Sequence, residues 1–227
     1  MSVTVPNPAG PSPRAGRALR RSGRWQTQRE GIAVLVGIVA LMWLIEVVNA
    51  VDGYRLRTDG IYPRSFPHLW GIFTSPFIHQ NFAPHLLDNT IPLLFLGLII
   101  ALRGARRVLV VTAIVIVLGG LGTWLIAPAH TDTIGASGVV FGYATYLLTR
   151  GFFDRSLLEL MTGVVVGVVW GGVLLSSLVP HNGVSWQAHL CGGIAGVVAA
   201  WWLAQRDGRR QGTRILARSS GPGTITR

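Results

Sequence analysis

The sequence predicts an all-α membrane protein, a bundle of six transmembrane helices. Half of its 227 residues are hydrophobic and only 13% are charged, whereas about a quarter of the residues of an ordinary soluble domain are charged. The hydrophobic residues also fall in long blocks, several of them close to the roughly 20 residues that a helix needs to cross a bilayer. These two observations favour an integral membrane protein with one compact domain.

Six apolar blocks define the predicted spans, and polar segments separate them. Residues 1–30 are rich in proline, glycine and arginine and predict a disordered tail. Residues 205–227 predict a second, arginine-rich disordered tail, so the membrane domain is expected over residues 31–204. Residues 51–84 form the longest loop, whose aromatic content suits a segment that lies partly in the membrane surface. The predicted spans comprise residues 32–50, 85–102, 108–127, 135–149, 157–178 and 184–204.

Prolines and arginines set the limits of the later spans. Span two begins directly after Pro84, and Pro92 within it is tolerable because neighbouring helices can satisfy the freed backbone group. Arginines follow spans two and four, and prolines lie in the loops after spans three and five. Glu46 lies near the far end of span one, where we interpret it as a carboxylate that reaches the membrane interface by snorkelling.

The distribution of arginine predicts the orientation of the chain. All twenty basic residues are arginine, and the net charge is +11. Seventeen of them lie in the two tails and in the loops after spans two and four, whereas only Arg55, Arg57 and Arg64 lie on the other side. The positive-inside rule therefore places both termini in the cytoplasm. Such arginines also contact anionic lipid. No run of aromatic residues interleaves them as a nucleic-acid surface requires, so we expect no nucleic-acid partner.

Spans two, four and six carry their unusual polar residues at one depth. In this topology all three begin on the external side, and each has its polar residues in its first two turns: His85 and Asn89, then Ser137, then His189. With a rise of 1.5 Å per residue, His189 lies about 7 Å below the start of its helix. Ionisable residues inside a membrane are costly, so their convergence indicates a functional site.

A serine and a histidine at such a site can perform nucleophilic catalysis. The hydroxyl of Ser137 is a poor nucleophile until an adjacent base accepts its proton. An imidazole such as that of His189 suits this role because the unperturbed pKa of a histidine side chain lies near neutrality. No carboxylate third member follows from the pattern, which predicts a Ser–His dyad. His85 and Asn89 share one helical face and could donate to the oxyanion of a tetrahedral intermediate, together with N–H groups at the start of span four.

Glycines on spans four and six predict that these two helices approach closely. Gly135, Gly138 and Gly142 line span four, and Gly192 and Gly196 form a G-x-x-x-G pair on span six. Small residues allow membrane helices to come into close contact, which a serine on one helix and a histidine on another require.

The polar motifs, in their order on alternate spans, resemble those of a known family. They read His85-Leu-Leu-Asp-Asn89, Gly135-Ala-Ser137-Gly138 and Ala188-His189-Leu-Cys-Gly-Gly. They resemble the rhomboid family of intramembrane serine proteases, and the segment of residues 73–82 ahead of span two is also similar to that family. The resemblance covers residues 31–204. It implies a six-helix bundle with a water-accessible cavity open to the outside, and cleavage of other membrane proteins in or near their spanning helices.

The resemblance also implies roles for single residues. Ser137 would be the nucleophile and His189 the general base, while His85 and Asn89 would assist the oxyanion with Gly135 near that hole. Span five and the loop of residues 180–183 would act as a substrate gate and cap. The expected partners are transmembrane protein substrates and the lipid bilayer, with no cofactor, no metal and no predicted oligomeric state. The expected location is a bacterial plasma membrane, with the active site opening to the external side.

The chain departs from the family pattern at two places. Phe141 stands where many members have a tyrosine whose ring packs on the catalytic histidine, and phenylalanine keeps the ring while it loses the hydroxyl. The spacing from His79 to His85 is one residue longer than usual, which leaves the role of His79 open. We interpret it as an ordinary loop or interface histidine, together with His68, His130 and His181. No spacing among these histidines predicts a metal site, and the single cysteine, Cys191, excludes a disulfide within the chain.

Two other functions are compatible with a polar membrane bundle. A catalytically silent, rhomboid-like scaffold would bind membrane helices without cleaving them, although the intact Ser137 and His189 argue against this alternative. A small transporter would need charged or carbonyl-lined groups near the midplane of the membrane, whereas the polar groups here stop at a shallow depth.

Overall fold

A computed structural model describes residues 13–180 and 183–219 of the chain. Within these ranges the regular secondary structure is helical, and Ile61 and Thr133 form an isolated β-bridge. The predicted all-α fold is therefore confirmed. Six long helices coincide with the six predicted spans: α1 (Pro13–Val51), α2 (Phe82–Ala101), α3 (Ala105–Ile126), α4 (Ser137–Asp154), α5 (Leu157–Ser176) and α6 (Trp186–Ser219).

The loop between α1 and α2 folds into short helical turns. An aromatic contact anchors it to α3, since the Phe66 ring packs edge-on against Trp124 at 5.3 Å between centroids. The segment ends at Asn81, whose side chain accepts the backbone N–H of His85 at 3.2 Å and so caps the first, π-helical turn of α2. The short turns comprise Arg55–Asp59, Phe66–His68, Gly71–Thr74 and Ser75–Phe77.

Among the described residues, five helices are long and apolar enough to cross a membrane: α1, α2, α3, α5 and α6. The fourth predicted span, α4, has 18 residues but contains Arg150 and Asp154 near its end. Its buried residues extend around the helix, because α4 lies among other helices instead of facing lipid on a broad side. A helix enclosed by protein needs less apolar surface than one exposed to lipid, which explains why its composition differs.

The two predicted disordered tails are partly helical. Helix α1 begins at Pro13 and α6 continues to Ser219, so residues 13–30 and 205–219 extend the membrane helices instead of forming disordered tails. Extending an existing helix avoids the cost of nucleation, and arginine, alanine, leucine and glutamine favour the helix. Residues 1–12 and 220–227, the remainder of the predicted tails, lie outside the described residues. The limits of the membrane domain at 31 and 204 stay a prediction.

Helices α4 and α6 cross in backbone contact, as the glycine pattern predicts. A Cβ atom added to Gly192 would lie 2.8 Å from the carbonyl carbon of Gly138, and one added to Gly196 would lie 2.8 Å from that of Gly142. Any larger side chain at these positions would push the helices apart. Ser137 is the residue directly before Gly138, so this crossing sets its distance from the start of α6.

A buried ionic cluster joins four elements at the opposite end of the bundle. The side chain of Arg150, only 4% exposed, lies 2.5 Å from Asp154 and 3.5 Å from Glu159, which belongs to the first turn of α5. Arg103 also pairs with Glu159, and Arg107 pairs with Asp207 of α6 at 2.6 Å. The sequence analysis uses these arginines only as markers of loops, whereas the structure shows that Arg103 and Arg150 bind Glu159 at the N-terminal end of α5.

Candidate active site

Ser137 is the first residue of α4, and the loop ahead of α2 holds the turn that leads to it. Gly135 has φ of +110°, in the left-handed region that favours glycine. Its N–H donates to the carbonyl oxygen of Ser75 at 2.8 Å, and the next N–H, that of Ala136, donates to Nε2 of His79 at 3.3 Å. The N–H groups of the first helical turn have no partner within their own helix, so this turn presents the hydroxyl and N–H donors at the same place.

His189 lies in the first turn of α6 with its ring fixed on two sides. Its Nδ1 is 2.9 Å from the backbone carbonyl oxygen of Ser177, and because a carbonyl oxygen only accepts, Nδ1 carries the proton. Nε2 is therefore the basic nitrogen of the ring. The Phe141 ring stacks on the imidazole with 4.2 Å between centroids and 2° between planes. The structure thus supports the tautomer that a general base requires.

The predicted site residues line one cavity of about 470 Å³. Ser137 and His189 both line it, and so do the four residues with predicted assisting roles: His85, Asn89, Gly135 and Phe141. The structure therefore brings residues of α2, α4 and α6 to one place, as their depth along the three spans predicts. Among the described residues, no group of three or more histidine, cysteine, aspartate or glutamate side chains could hold a metal ion.

His85 and Asn89 lie one turn apart on α2, and hydrogen bonds hold both side chains in place. Asn81 Oδ1 accepts the backbone N–H of His85 and also lies 3.0 Å from His85 Nδ1, so this nitrogen donates its proton to Asn81. Asn89 Nδ2 donates one hydrogen to the His85 carbonyl oxygen at 2.9 Å. The same nitrogen lies 3.8 Å from where a Cβ on Gly135 would be, which places the Asn89 amide beside the turn that precedes Ser137.

Comparisons of the sequence with known proteins identify the family. The sequence model of the rhomboid domain matches residues 67–206. The chain belongs to the rhomboid family. The matched segment contains the cavity-lining residues of α2, α4 and α6, whereas α1 precedes it.

Relatives of this rhomboid occur in several bacteria. It is 39% identical over 228 residues to an uncharacterized protein of Mycobacterium tuberculosis, which covers 97% of this chain and 93% of that protein. It is 42% identical to an uncharacterized protein of Mycobacterium leprae over 80% of this chain and 73% of that protein. A Bacillus subtilis relative named for the rhomboid proteases is 25% identical over 79% of this chain and 91% of its own length.

A buried polar network behind the cavity escaped the sequence analysis. Glu46 is fully buried and does not reach the interface by snorkelling, so that interpretation is wrong. Its Oε2 accepts the backbone N–H of His79 at 3.1 Å and the amide of Asn49 at 3.2 Å, and Asn49 also donates to the His79 carbonyl oxygen. These bonds fix the backbone of His79 to α1. The histidine in turn accepts the N–H of Ala136, next to Ser137.

His79 is therefore a buried structural residue and not an ordinary loop histidine. Its side chain is 1% exposed, and burial lowers its pKa to about 4, with the nearby His85 acting in the same direction and the Phe77 backbone opposing it. A neutral ring is also what the contact requires, because a protonated Nε2 could not accept from Ala136. No spacing in the sequence reveals this contact, which joins a loop to a turn 57 residues away.

The inner part of the cavity is apolar. Its walls there come from α2 and α4 on one side and from α5 on the other, with Trp170 of α5 near Phe95 of α2 at 6.3 Å between ring centroids. Hydrophobic residues line this part: Pro92, Leu96, Val140, Ala144, Val173 and Leu174. The cavity thus offers an apolar surface next to a polar reaction centre, which suits a hydrophobic chain segment.

Proposed function

We propose that this rhomboid is an intramembrane serine endopeptidase that cleaves the spanning segments of other membrane proteins with a Ser137–His189 dyad. The observation that supports this proposal most strongly is the tautomer of His189. The Ser177 carbonyl oxygen accepts the proton on Nδ1, which leaves Nε2 as the base, and both His189 and Ser137 line the same cavity. The stacked Phe141 ring restricts rotation of the imidazole. This arrangement provides the nucleophile and the base that peptide hydrolysis needs.

The reaction follows the usual order of acyl transfer. Ser137 Oγ attacks the carbonyl carbon of the scissile bond while His189 Nε2 accepts the hydroxyl proton. His189 then gives this proton to the leaving amine, and an acyl group remains on Ser137. A water molecule, deprotonated by the same nitrogen, hydrolyses this ester, and the proton returns to the serine oxygen.

The oxyanion of each tetrahedral intermediate needs donors that are already in place. The Ser137 N–H in the first turn of α4 is one, and the helix dipole favours negative charge there. Asn89 supplies the second from the amide hydrogen that does not bind the His85 carbonyl. In the neutral ring, His85 donates its Nδ1 proton to Asn81, so its Nε2 carries no proton to donate. We therefore assign Asn89 as the main side-chain donor, and His85 as the residue whose carbonyl oxygen holds the Asn89 amide in place.

The geometry of a helix constrains the substrate. In an intact helix the backbone carbonyl groups are hydrogen-bonded within the helix and surrounded by side chains, so the scissile segment must unwind locally before Ser137 can reach a carbonyl carbon. Spanning helices weakened by glycine or proline are the expected substrates, because unwinding in lipid exposes backbone groups that need partners.

The multi-pass topology and the charge distribution support an orientation. Ser137 and Arg150 lie at opposite ends of α4, about 20 Å apart at 1.5 Å per residue. The arginine-rich loops and helix extensions lie at the Arg150 end, which the positive-inside rule assigns to the cytoplasm. The proposed active site then opens towards the external side of a bacterial plasma membrane.

The direct test of this function uses the full chain in liposomes with a test transmembrane substrate that contains a glycine-rich segment. We expect cleavage within that segment by the wild-type chain and none by the Ser137→Ala variant. Cleavage that survives Ser137→Ala would refute the proposal. Retention of the intact substrate on the wild-type chain, without cleavage, would instead indicate a helix-binding scaffold.

A further inference from the structure

The C-terminal end of α5 contacts the proposed catalytic base. Helix α5 ends at Ser176, and the carbonyl oxygen of the next residue, Ser177, accepts the proton on His189 Nδ1 at 2.9 Å. The last carbonyl groups of a helix have no partner within it, and together they carry the negative end of the helix dipole. The ring therefore binds a backbone acceptor that is both unused by the helix and electrostatically negative.

The Ser177 carbonyl can take the role that a carboxylate has in a catalytic triad. In a triad, the third member holds the imidazole in the correct tautomer and stabilises the imidazolium that forms when the serine proton is taken up. The Ser177 carbonyl does the first by binding Nδ1–H, and its position at a helix C-terminus does the second. We propose that the end of α5 is the positioning element of the base and completes a serine–histidine–backbone triad. The proposal rests on the proposed function.

Helix α5 is packed tightly near its N-terminal end and loosely near its C-terminal end. The hydrogen bond between Ser177 and His189 therefore depends on the position of the loosely packed end. Near its N-terminal end Glu159 joins the buried ionic cluster, and Gly163 packs so closely that an added Cβ would lie 2.9 Å from the Leu148 carbonyl oxygen. Towards the other end, no heavy atom lies within 4 Å of a Cβ added to Gly171 or Gly172. The outer surface there is open as well, with Leu175 exposed by 71%.

The two adjacent glycines are a weak point five residues before the contact. Glycine disfavours the helix more than any residue except proline, so α5 bends most easily at Gly171 and Gly172. A bend there moves residues 173–177 away from α2 and α4, including the cavity-lining Val173 and Leu174, and so provides the opening expected of the substrate gate that the family resemblance implies for span five. The same movement withdraws the Ser177 carbonyl from His189. When α5 opens for a substrate segment, His189 thus loses the hydrogen bond that orients it as a base. Closure of α5 around the segment restores this hydrogen bond.

The first experiment weakens the Ser177 carbonyl without changing a side chain. An ester in place of the amide between Ser177 and Leu178, introduced with the α-hydroxy analogue of leucine, makes this carbonyl a poorer acceptor and removes one N–H bond, that of Leu178 to Leu175 at 3.2 Å. The matched control is the ester between Leu178 and Val179. It removes a similar bond, from Val179 to Ser176 at 3.1 Å, and leaves the Ser177 carbonyl intact.

Both variants are studied as full chains in nanodiscs with two readouts. The imidazole ¹⁵N shifts of His189, identified by their loss in His189→Gln, should show Nδ1–H in the wild type and the control, and a mixture of tautomers in the Leu178 ester. The rate at which a fluorophosphonate labels Ser137 should fall about tenfold or more in the Leu178 ester only. Identical shifts and equal rates in the two esters would overturn the proposal. Because the ¹⁵N readout needs no activity, it decides the contact even if Ser137 proves unreactive.

The second experiment tests the coupling to substrate access. The double variant Gly171→Ala/Gly172→Ala stiffens α5 at positions where a methyl group meets nothing. The control is Gly23→Ala/Gly37→Ala in α1, where an added Cβ also has no neighbour within 4 Å. We expect the α5 variant to cleave the transmembrane substrate about fivefold or more slowly than the control, while fluorophosphonate labelling of Ser137 is equal or faster. Equal cleavage in both variants, or a parallel loss of cleavage and labelling, would overturn the coupling.

Discussion

Replacement of Gly192 by alanine should separate Ser137 from His189. The new Cβ would lie 2.8 Å from the Gly138 carbonyl carbon and 3.1 Å from its Cα, whereas carbon atoms pack best at about 3.5–4.0 Å. The obstacle is the backbone of α4, which cannot rotate away as a side chain would. Helices α4 and α6 must therefore move apart by about 1 Å. A displacement of this size can reduce the rate of a positioned reaction by roughly 100-fold.

The next residue on the same helix supplies the control. A Cβ on Gly193 meets only the Thr145 methyl group at 3.4 Å, which is ordinary contact. Both variants gain about 1 kcal/mol of helix propensity, but only Gly192→Ala incurs the overpacking cost of about 1–3 kcal/mol. The assay is the rate of fluorophosphonate labelling of Ser137, with thermal unfolding measured in parallel. If Gly192→Ala reacts as fast as Gly193→Ala, the crossing of α4 and α6 does not set the catalytic distance.

Three further predictions concern the surroundings of the site. Phe141→Leu should slow labelling of Ser137 by about two- to tenfold, because an aromatic pair contributes about 0.5–1.5 kcal/mol, whereas Phe141→Tyr should react like the wild type. Equal rates for the leucine and tyrosine variants would show that stacking on His189 does not affect the reaction. The pKa of His79 is lowered from 6.5 to about 4 in the folded chain. As the pH falls from 6.5 towards 4, this side chain is protonated in the unfolded chain but not in the folded chain, and the free energy of unfolding therefore decreases. Unfolding curves at pH 7 and pH 5 should show a loss of about 2 kcal/mol that His79→Gln lacks, and an identical loss in the variant would contradict this assignment. Glu159→Leu should destabilise the chain by about 1.5–3 kcal/mol, because buried Arg150 loses one carboxylate partner and keeps Asp154. The double variant Glu159→Leu/Arg150→Leu should lose less than the sum of the two single variants; additive losses would indicate that the two side chains are not coupled.

Hydropathy and glycine spacing were sufficient to predict the helices and the crossing that assembles the site. Apolar blocks located all six helices, because length and burial in lipid dominate the composition of a membrane span. The glycine pattern identified the α4–α6 contact, because only a missing side chain permits backbone contact at Gly192 and Gly138. The helical continuations of α1 and α6 were missed, since local composition describes isolated segments and not their extension from an existing helix.

The residues that support the site could not be predicted, for physical reasons. Glu46 and His79 are buried by contacts between a helix and a loop more than 30 residues apart, and their chemical types alone suggested an interface carboxylate and a surface histidine. The Ser177 carbonyl leaves no trace in the sequence, because every residue has a backbone carbonyl and only the end of α5 presents this one to His189. Supporting contacts of this kind depend on the folded arrangement and not on residue type.

The most direct test of the Ser137–His189 dyad is the site and rate of covalent labelling in the folded chain. The full chain in nanodiscs is treated with a fluorophosphonate, and peptide mass spectrometry locates the adduct in the wild type, in His189→Gln and in Ser137→Ala. The account predicts one adduct on Ser137 in the wild type, at least about 100-fold slower labelling in His189→Gln, and none at this site in Ser137→Ala. Labelling of Ser137 at the wild-type rate in the absence of the His189 imidazole would contradict it.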